Sequence, residues 1–189
     1  MTDPAAFDPL RLLETLDQHR VRYVVVGGIA ARLLGSPTVT RDLDICYARD
    51  ADNLIALAAA LGELHAHLRG AERGLPFRPD VRTLRAGDSF TLQTDAGDLD
   101  ILGSPAGTDG FADLARGAQR TDLGGREVLV ASVDDLIRMK RAAGRPKDMI
   151  EVEVLGALRD ELEEELKTDR PAPPKRSPDG QERSLPRGG

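Results

Sequence analysis

Two pairs of aspartates stand out for the chemistry they could do together. Asp42 and Asp44 lie one residue apart in RDLDI, and Asp98 and Asp100 repeat that spacing in GDLDIL. Successive side chains of a β-strand alternate between faces, so each pair points one way while Leu43 and Ile45, or Leu99 and Ile101, point the other. Like charges this close are costly unless something positive sits between them, and a metal ion is the natural choice. Oxygen ligands of this kind suit magnesium, which keeps several waters and takes the rest of its shell from substrate phosphates. If the two strands are neighbours, three carboxylates converge, the minimum for a two-metal site of phosphoryl or nucleotidyl transfer. A D-x-D pair alone is more often a solvated, salt-bridged strand edge, so its surroundings decide.

Those surroundings include Gly27-Gly28, which follows a β-branched run and precedes a helical one. Paired glycines there let a phosphate approach the backbone, with helix-terminal amides aimed at it. The stretch VGGIAARLLG lacks the G-x-G-x-x-G spacing of a dinucleotide site, and no G-K-[ST] follows to make a P-loop. His65 and His67 fall in a segment that reads as helix, where a spacing of two points side chains apart, so they are expected at the surface. Cys46 extends the strand of Asp44 and reads as a small buried hydrophobe.

The elements that must position these residues are legible from periodicity and punctuation. Leu12, Leu13 and Leu16 have helical spacing within 10–19, and Arg22–Val26 reads as a buried strand. A short helix is expected over Ala30–Leu34, a second strand over Thr40–Cys46, and a helix over Asn53–Leu68. From Val81 to Leu102 the pattern predicts strands, with hairpins at Asp95-Ala96-Gly97 and again at Gly124-Gly125. Ser132 and Asp135 form a capping box for a helix over Val133–Arg141, and Pro146 opens a last helix running to about Lys167. Beyond it, TDRPAPPKRSPDGQERSLPRGG has almost nothing to bury and is expected to be a disordered, mildly cationic tail.

The 189 residues suffice for one core, which must be aliphatic because only 3% are aromatic and there is no Trp. A net charge of -6 lacks the basic balance of a general nucleic-acid binder. Any such contact would need a local patch, for which Arg69, Arg73, Arg78, Arg82 and Arg85 are the candidates. A single cysteine, an acidic start and the lack of a long apolar run point to a cytoplasmic protein without a membrane span.

Taken together, Gly27-Gly28-x-Ala30, Gly35 and the T-x-D-x-D of Thr40-Arg41-Asp42-Leu43-Asp44 resemble the polymerase-β-type nucleotidyltransferase superfamily. More narrowly they resemble the AbiEii group of nucleotidyltransferase toxins, to which the mycobacterial MenT toxins belong. The later segment SVDDLIRMKRAAGRPKDMIEVEVL is similar to that group's Lys-bearing helix, GRPKD turn and following helix. The resemblance covers roughly residues 21–155. Two positions depart from it: Thr38 stands where relatives often carry a basic residue, and Glu151 where many carry Asp.

The resemblance implies an α+β fold, a small mixed sheet flanked by helices, over residues 1–167, with 168–189 as the tail. It implies a magnesium-dependent enzyme, with two ions and manganese as a substitute, moving a nucleoside monophosphate from an NTP to an acceptor hydroxyl. Gly27 and Gly28 would hold the phosphates, and Asp42, Asp44 and Asp100 the metals, Asp98 being the alternative to Asp100. Asp100 would also help deprotonate the acceptor. Lys140 would neutralise triphosphate charge, with Arg41 assisting and Lys147 and Asp148 as further contributors. The acceptor implied is the 3' end of tRNA, the biological role that of a toxin, and the partner an antitoxin acting in some relatives through phosphorylation of a hydroxyl at the place of Thr40. Neither membrane nor DNA is an expected partner. A small-molecule or protein acceptor, and a nucleotide sensor without turnover, are the competing readings.

Overall fold

The computed structural model describes residues 6–71 and 77–168. Its framework is a mixed seven-stranded sheet in the order β3-β4-β5-β2-β1-β7-β6. The strands are β1 (Tyr23–Val26), β2 (Asp42–Tyr47), β3 (His67–Leu68), β4 (Ser89–Thr94), β5 (Gly97–Leu102), β6 (Gln119–Asp122) and β7 (Glu127–Val130). The helices are α1 (Pro9–Gln18), α2 (Gly27–Leu33), α3 (Ala51–Glu63), α4 (Val81–Ala86), α5 (Phe111–Gly117), α6 (Val133–Ala143) and α7 (Pro146–Thr168). The α+β class and both expected hairpins, β4–β5 and β6–β7, are present. No helix among the described residues is long and apolar enough to cross a membrane.

Burial follows the sequence pattern. The YVVV run of β1 is buried along its whole length, as a central strand must be. In β2 and β5 burial alternates: Leu43, Ile45, Leu99 and Ile101 are wholly covered, and the aspartates between them are not. These four join Leu12, Leu13 and Leu16 of α1 and Leu54, Leu57 and Leu61 of α3 in one aliphatic core. The helices start where side chains can satisfy their free amides. Asp8 accepts from Arg11, Asp50 from Asn53, Asp80 from Thr83 and Ser132 from Asp135.

Three expectations are corrected. The helix expected to reach Leu68 ends at Glu63, because His65 takes a positive φ of 49° and the Ala66 N–H turns back to Leu61 O at 2.9 Å. The chain then returns as β3, so His65 and His67 are exposed as expected but do not lie on a helix. Residues 81–86 are helix and not strand, because Asp80 caps them and Leu84 is their one fully buried anchor. Finally, α2 begins at Gly27 itself instead of Ala30, since Gly27 (φ 64°) makes the turn from β1 directly. The helix α5 had no clear periodic signal. Apart from Thr168, which closes α7, the expected tail lies outside the described residues.

One polar side chain holds the back of this framework together. Asn53, almost fully buried, donates through Nδ2 to Arg22 O (3.1 Å) and Ala48 O (2.7 Å) and accepts from the Arg22 N–H (2.6 Å). It ties α3 to the entry of β1 and the exit of β2. Asn53→Ala should therefore orphan these backbone groups and lower unfolding stability by about 2–4 kcal/mol, read from denaturant titration. A loss within 0.5 kcal/mol would show that water replaces the amide there.

Candidate active site

β2 and β5 run parallel and in register, with Asp42 opposite Asp98 and Asp44 opposite Asp100. All four carboxylates consequently share one face, and the two strands bury the other. The repulsion this creates is relieved unevenly. Arg69, just beyond β3, reaches over β4 and forks onto β5, donating from Nη1 to Asp98 Oδ2 at 2.7 Å and from Nη2 to Asp100 Oδ1. The Thr40 hydroxyl donates to Asp42 Oδ1. Among the described residues no side chain forms such an ion pair with Asp44. Its burial, with Asp42 and then Asp100 repelling it, pushes its pKa from 3.8 to about 7, against weaker help from Lys140 and the Gly28 amide. Asp100 also titrates above its ordinary value, chiefly through burial and despite Arg69.

The entry to α2 lies against these carboxylates. A side chain at Gly27 would put its Cβ 2.1 Å from Asp44 Oδ2, and one at Gly28 would put it 2.6 Å from Thr40 Cβ. The paired glycines are thus required by close approach of α2 to β2, and by the positive φ at Gly27.

The facing wall comes from α6 and the start of α7. Lys140 pairs with Glu151 Oε2 and lies 3.6 Å from Asp148 Oδ1. Asp148 is fully buried, and Arg145 bonds hold its carboxyl below the usual range: the backbone N–H at 3.2 Å, Nε at 2.7 Å and Nη2 at 3.3 Å. Between the walls lies a cavity of about 600 Å³. Its polar lining includes Gly27, Gly28, Thr40, Asp42, Asp44 and Asp100 on one side and Lys140, Arg145 and Glu151 on the other. Leu102, Pro105, Leu136 and Met139 supply apolar lining, and no aromatic ring among the described residues contributes.

Most of the residues singled out from the sequence therefore meet in one place. Asp100, and not Asp98, lines the cavity; Asp98 anchors Arg69 instead. Arg41 is exposed and does not line it. Asp148 supports Arg145 and Lys140 from beneath, and the Lys147 side chain lies outside the described residues. Of the expected basic stretch, Arg69 reaches the carboxylates, Arg78, Arg82 and Arg85 are exposed away from the cavity lining, and Arg73 lies outside the described residues. Sequence reasoning missed Arg145, and it named Glu151 only as a departure from the resembled pattern. The signal for Arg145 was present: an acid at the start of a helix, three residues after an Arg, forms an i,i+3 pair.

Asp42 and Asp44 fit a hard divalent cation, being oxygen donors on one strand face whose mutual repulsion the surrounding side chains leave largely unrelieved. Among the described residues no group of three or more His, Cys, Asp or Glu is arranged to hold a metal, and Asp42, Asp44 and Asp100 share the lining of one cavity. The guanidinium of Arg69 engages the third carboxylate.

No protein-family model matches the chain, and no curated protein matches it. Among solved structures the chain is similar to the lincosamide antibiotic adenylyltransferase LnuA in its lincomycin-bound form. The TM-score is 0.54 at 16% identity, covering 82% of this chain and 99% of that one. It is also similar to ANT(2")-Ia in complex with adenylyl-2"-tobramycin, with a TM-score of 0.50 at 17% identity over 84% of this chain and 96% of that one. The chain has the nucleotidyltransferase fold.

Asp44 makes a pH dependence testable without any substrate. The folded chain keeps this proton up to about pH 7, whereas the unfolded chain releases it near 3.8. Folding thus binds the extra proton in between, and stability must fall as pH rises from about 4 to about 7. In EDTA, the melting temperature of the wild type should drop across that window relative to Asp44→Asn. Parallel pH profiles for the two proteins would refute the assignment.

Proposed function

We propose that the protein is a magnesium-dependent nucleotidyltransferase, moving a nucleoside monophosphate from an NTP to an acceptor hydroxyl with release of pyrophosphate. The observation that carries this reading is one cavity with Asp42 and Asp44 beside the Gly27-Gly28 helix entry and Lys140 and Arg145 facing them. The glycines let the start of α2 pack directly against β2, which brings its first backbone amides beside the carboxylates. Lys140 and Arg145, both held in place by acidic neighbours, oppose the triphosphate charge. Asp100, at the edge toward β4, accepts the proton of the attacking hydroxyl. Asp42 and Asp44 would hold magnesium, or manganese in its stead, which when bound would supply positive charge against the phosphate oxygens and the nucleophile.

For the acceptor we favour the 3' end of tRNA, and for the biological role an AbiEii-type toxin held in check by an antitoxin. The support is the resemblance carried by residues 27–44 and 132–155. Thr40 suits such control, because its hydroxyl already bonds Asp42 and a phosphoryl group there would repel both the carboxylate and the triphosphate. A small-molecule hydroxyl is the second reading. It draws on the fold shared with LnuA, a lincosamide antibiotic adenylyltransferase, and on a cavity lined by two cations among the described residues.

Incubation with magnesium, each labelled NTP in turn, and either total tRNA or a panel of lincosamide and aminoglycoside antibiotics separates the two. Label should enter tRNA, and Asp42→Ala should leave none above background. Label entering an antibiotic would move the acceptor to the second reading, and full transfer by Asp42→Ala would remove the proposed chemistry. Thr40→Glu should abolish transfer, whereas Thr40→Val should retain it.

A further inference from the structure

The second aspartate pair has a use that the cavity does not explain. Arg69 follows β3 directly, and its backbone N–H donates to Thr91 O at 3.0 Å, extending the β3–β4 ladder by one residue. Since Thr91 is opposite Asp100 and Asp100 is opposite Asp44, these four residues form one row across the sheet. Alternation along the strands gives the row a common face. The side chains of Arg69 (29%), Asp98 (30%) and Asp100 (22%) are each less than a third exposed, so the fork is partly shielded from water. A guanidinium stays charged at any pH the protein meets, and its planar fork suits two carboxylate acceptors at once. Asp98 thereby secures Arg69, and Arg69 in turn secures Asp100 Oδ1.

We propose that Arg69 is a positioning residue that withholds Asp100 from the cation's ligand set and reserves it for the acceptor hydroxyl. The inference rests on reading Asp42 and Asp44 as the cation-binding pair, and it goes beyond that reading in dividing the labour among the carboxylates. A divalent ion entering the site meets two available carboxylates, while the third is already neutralised by a tethered cation. The ion then completes its shell from water and, when it is present, the triphosphate. The repeated D-x-D serves two purposes: on β2 it binds, and on β5 one acid anchors the arginine that orients the other.

The test is Mn²⁺ affinity of the full chain without nucleotide, read as free Mn²⁺ by electron paramagnetic resonance. Wild type, Asp42→Ala, Arg69→Ala and the double variant Arg69→Ala with Asp100→Asn are compared, with folding checked by circular dichroism. Removing the arginine should tighten Mn²⁺ binding roughly tenfold, since a positive charge leaves and a carboxylate is freed. Adding Asp100→Asn should reverse the gain. Unchanged or weaker binding in a folded Arg69→Ala protein overturns the proposal while leaving the Asp42–Asp44 site standing. Wild-type binding that does not depend on Asp42 overturns the cation site and the proposal together. Should Arg69→Ala fail to fold, Arg69→Gln takes its place, removing the charge while keeping hydrogen-bonding capacity, with the same two outcomes.

Discussion

The parallel, in-register pairing of β2 with β5 is the constraint from which the rest of the site follows. Register puts Asp42 against Asp98 and Asp44 against Asp100, and the pleat turns all four toward one face. A sheet can hold such a face only if its reverse is buried well enough to fix the register, because a slip of one residue would bury acids and expose leucines. Leu43, Ile45, Leu99 and Ile101 provide that penalty, packed with the leucines of α1 and α3. The core on one side of the sheet thus enforces electrostatic crowding on the other.

How the crowding is relieved defines the chemistry available. Asp98 and Asp100 receive Arg69, and Asp42 receives the Thr40 hydroxyl, whereas Asp44 is left with a strongly raised pKa. Strain of this kind favours any cation that enters from the cavity. Across from it, Lys140 and Arg145 are set on acids below or beside them, Asp148 and Glu151, so their charges are oriented before any ligand arrives. An incompletely compensated carboxylate side facing a preorganised cationic side is an arrangement suited to a metal-bound polyphosphate.

Glu151 has a defined place in the cavity wall. Its side chain pairs with Lys140, while the fully buried Asp148 takes Arg145 and also lies beside Lys140. The GRPKD turn is therefore both a helix start and a support for the cavity wall, two readings that the sequence left open.

Alternation, capping and β-branching are local properties, and they made β1, β2, β5, α1, α6 and α7 legible to within a few residues. They also put Asp42 and Asp44 on one face and Gly27-Gly28 at a helix entry. The segments misread were those whose conformation depends on partners far along the chain. β3 exists because β4 offers an edge to pair with, and α4 packs against α3 through a single buried leucine. Distances across the sheet were equally out of reach. That Asp100 lines the cavity while Asp98 holds Arg69 depends on a side chain crossing from beyond β3 over β4 to β5, a relation between residues 29 and 31 positions apart. The sequence by itself determined which side chains could share a strand face. Which of them share a charge was decided by tertiary structure, because electrostatic pairing depends on separation in space, and strand order sets that separation.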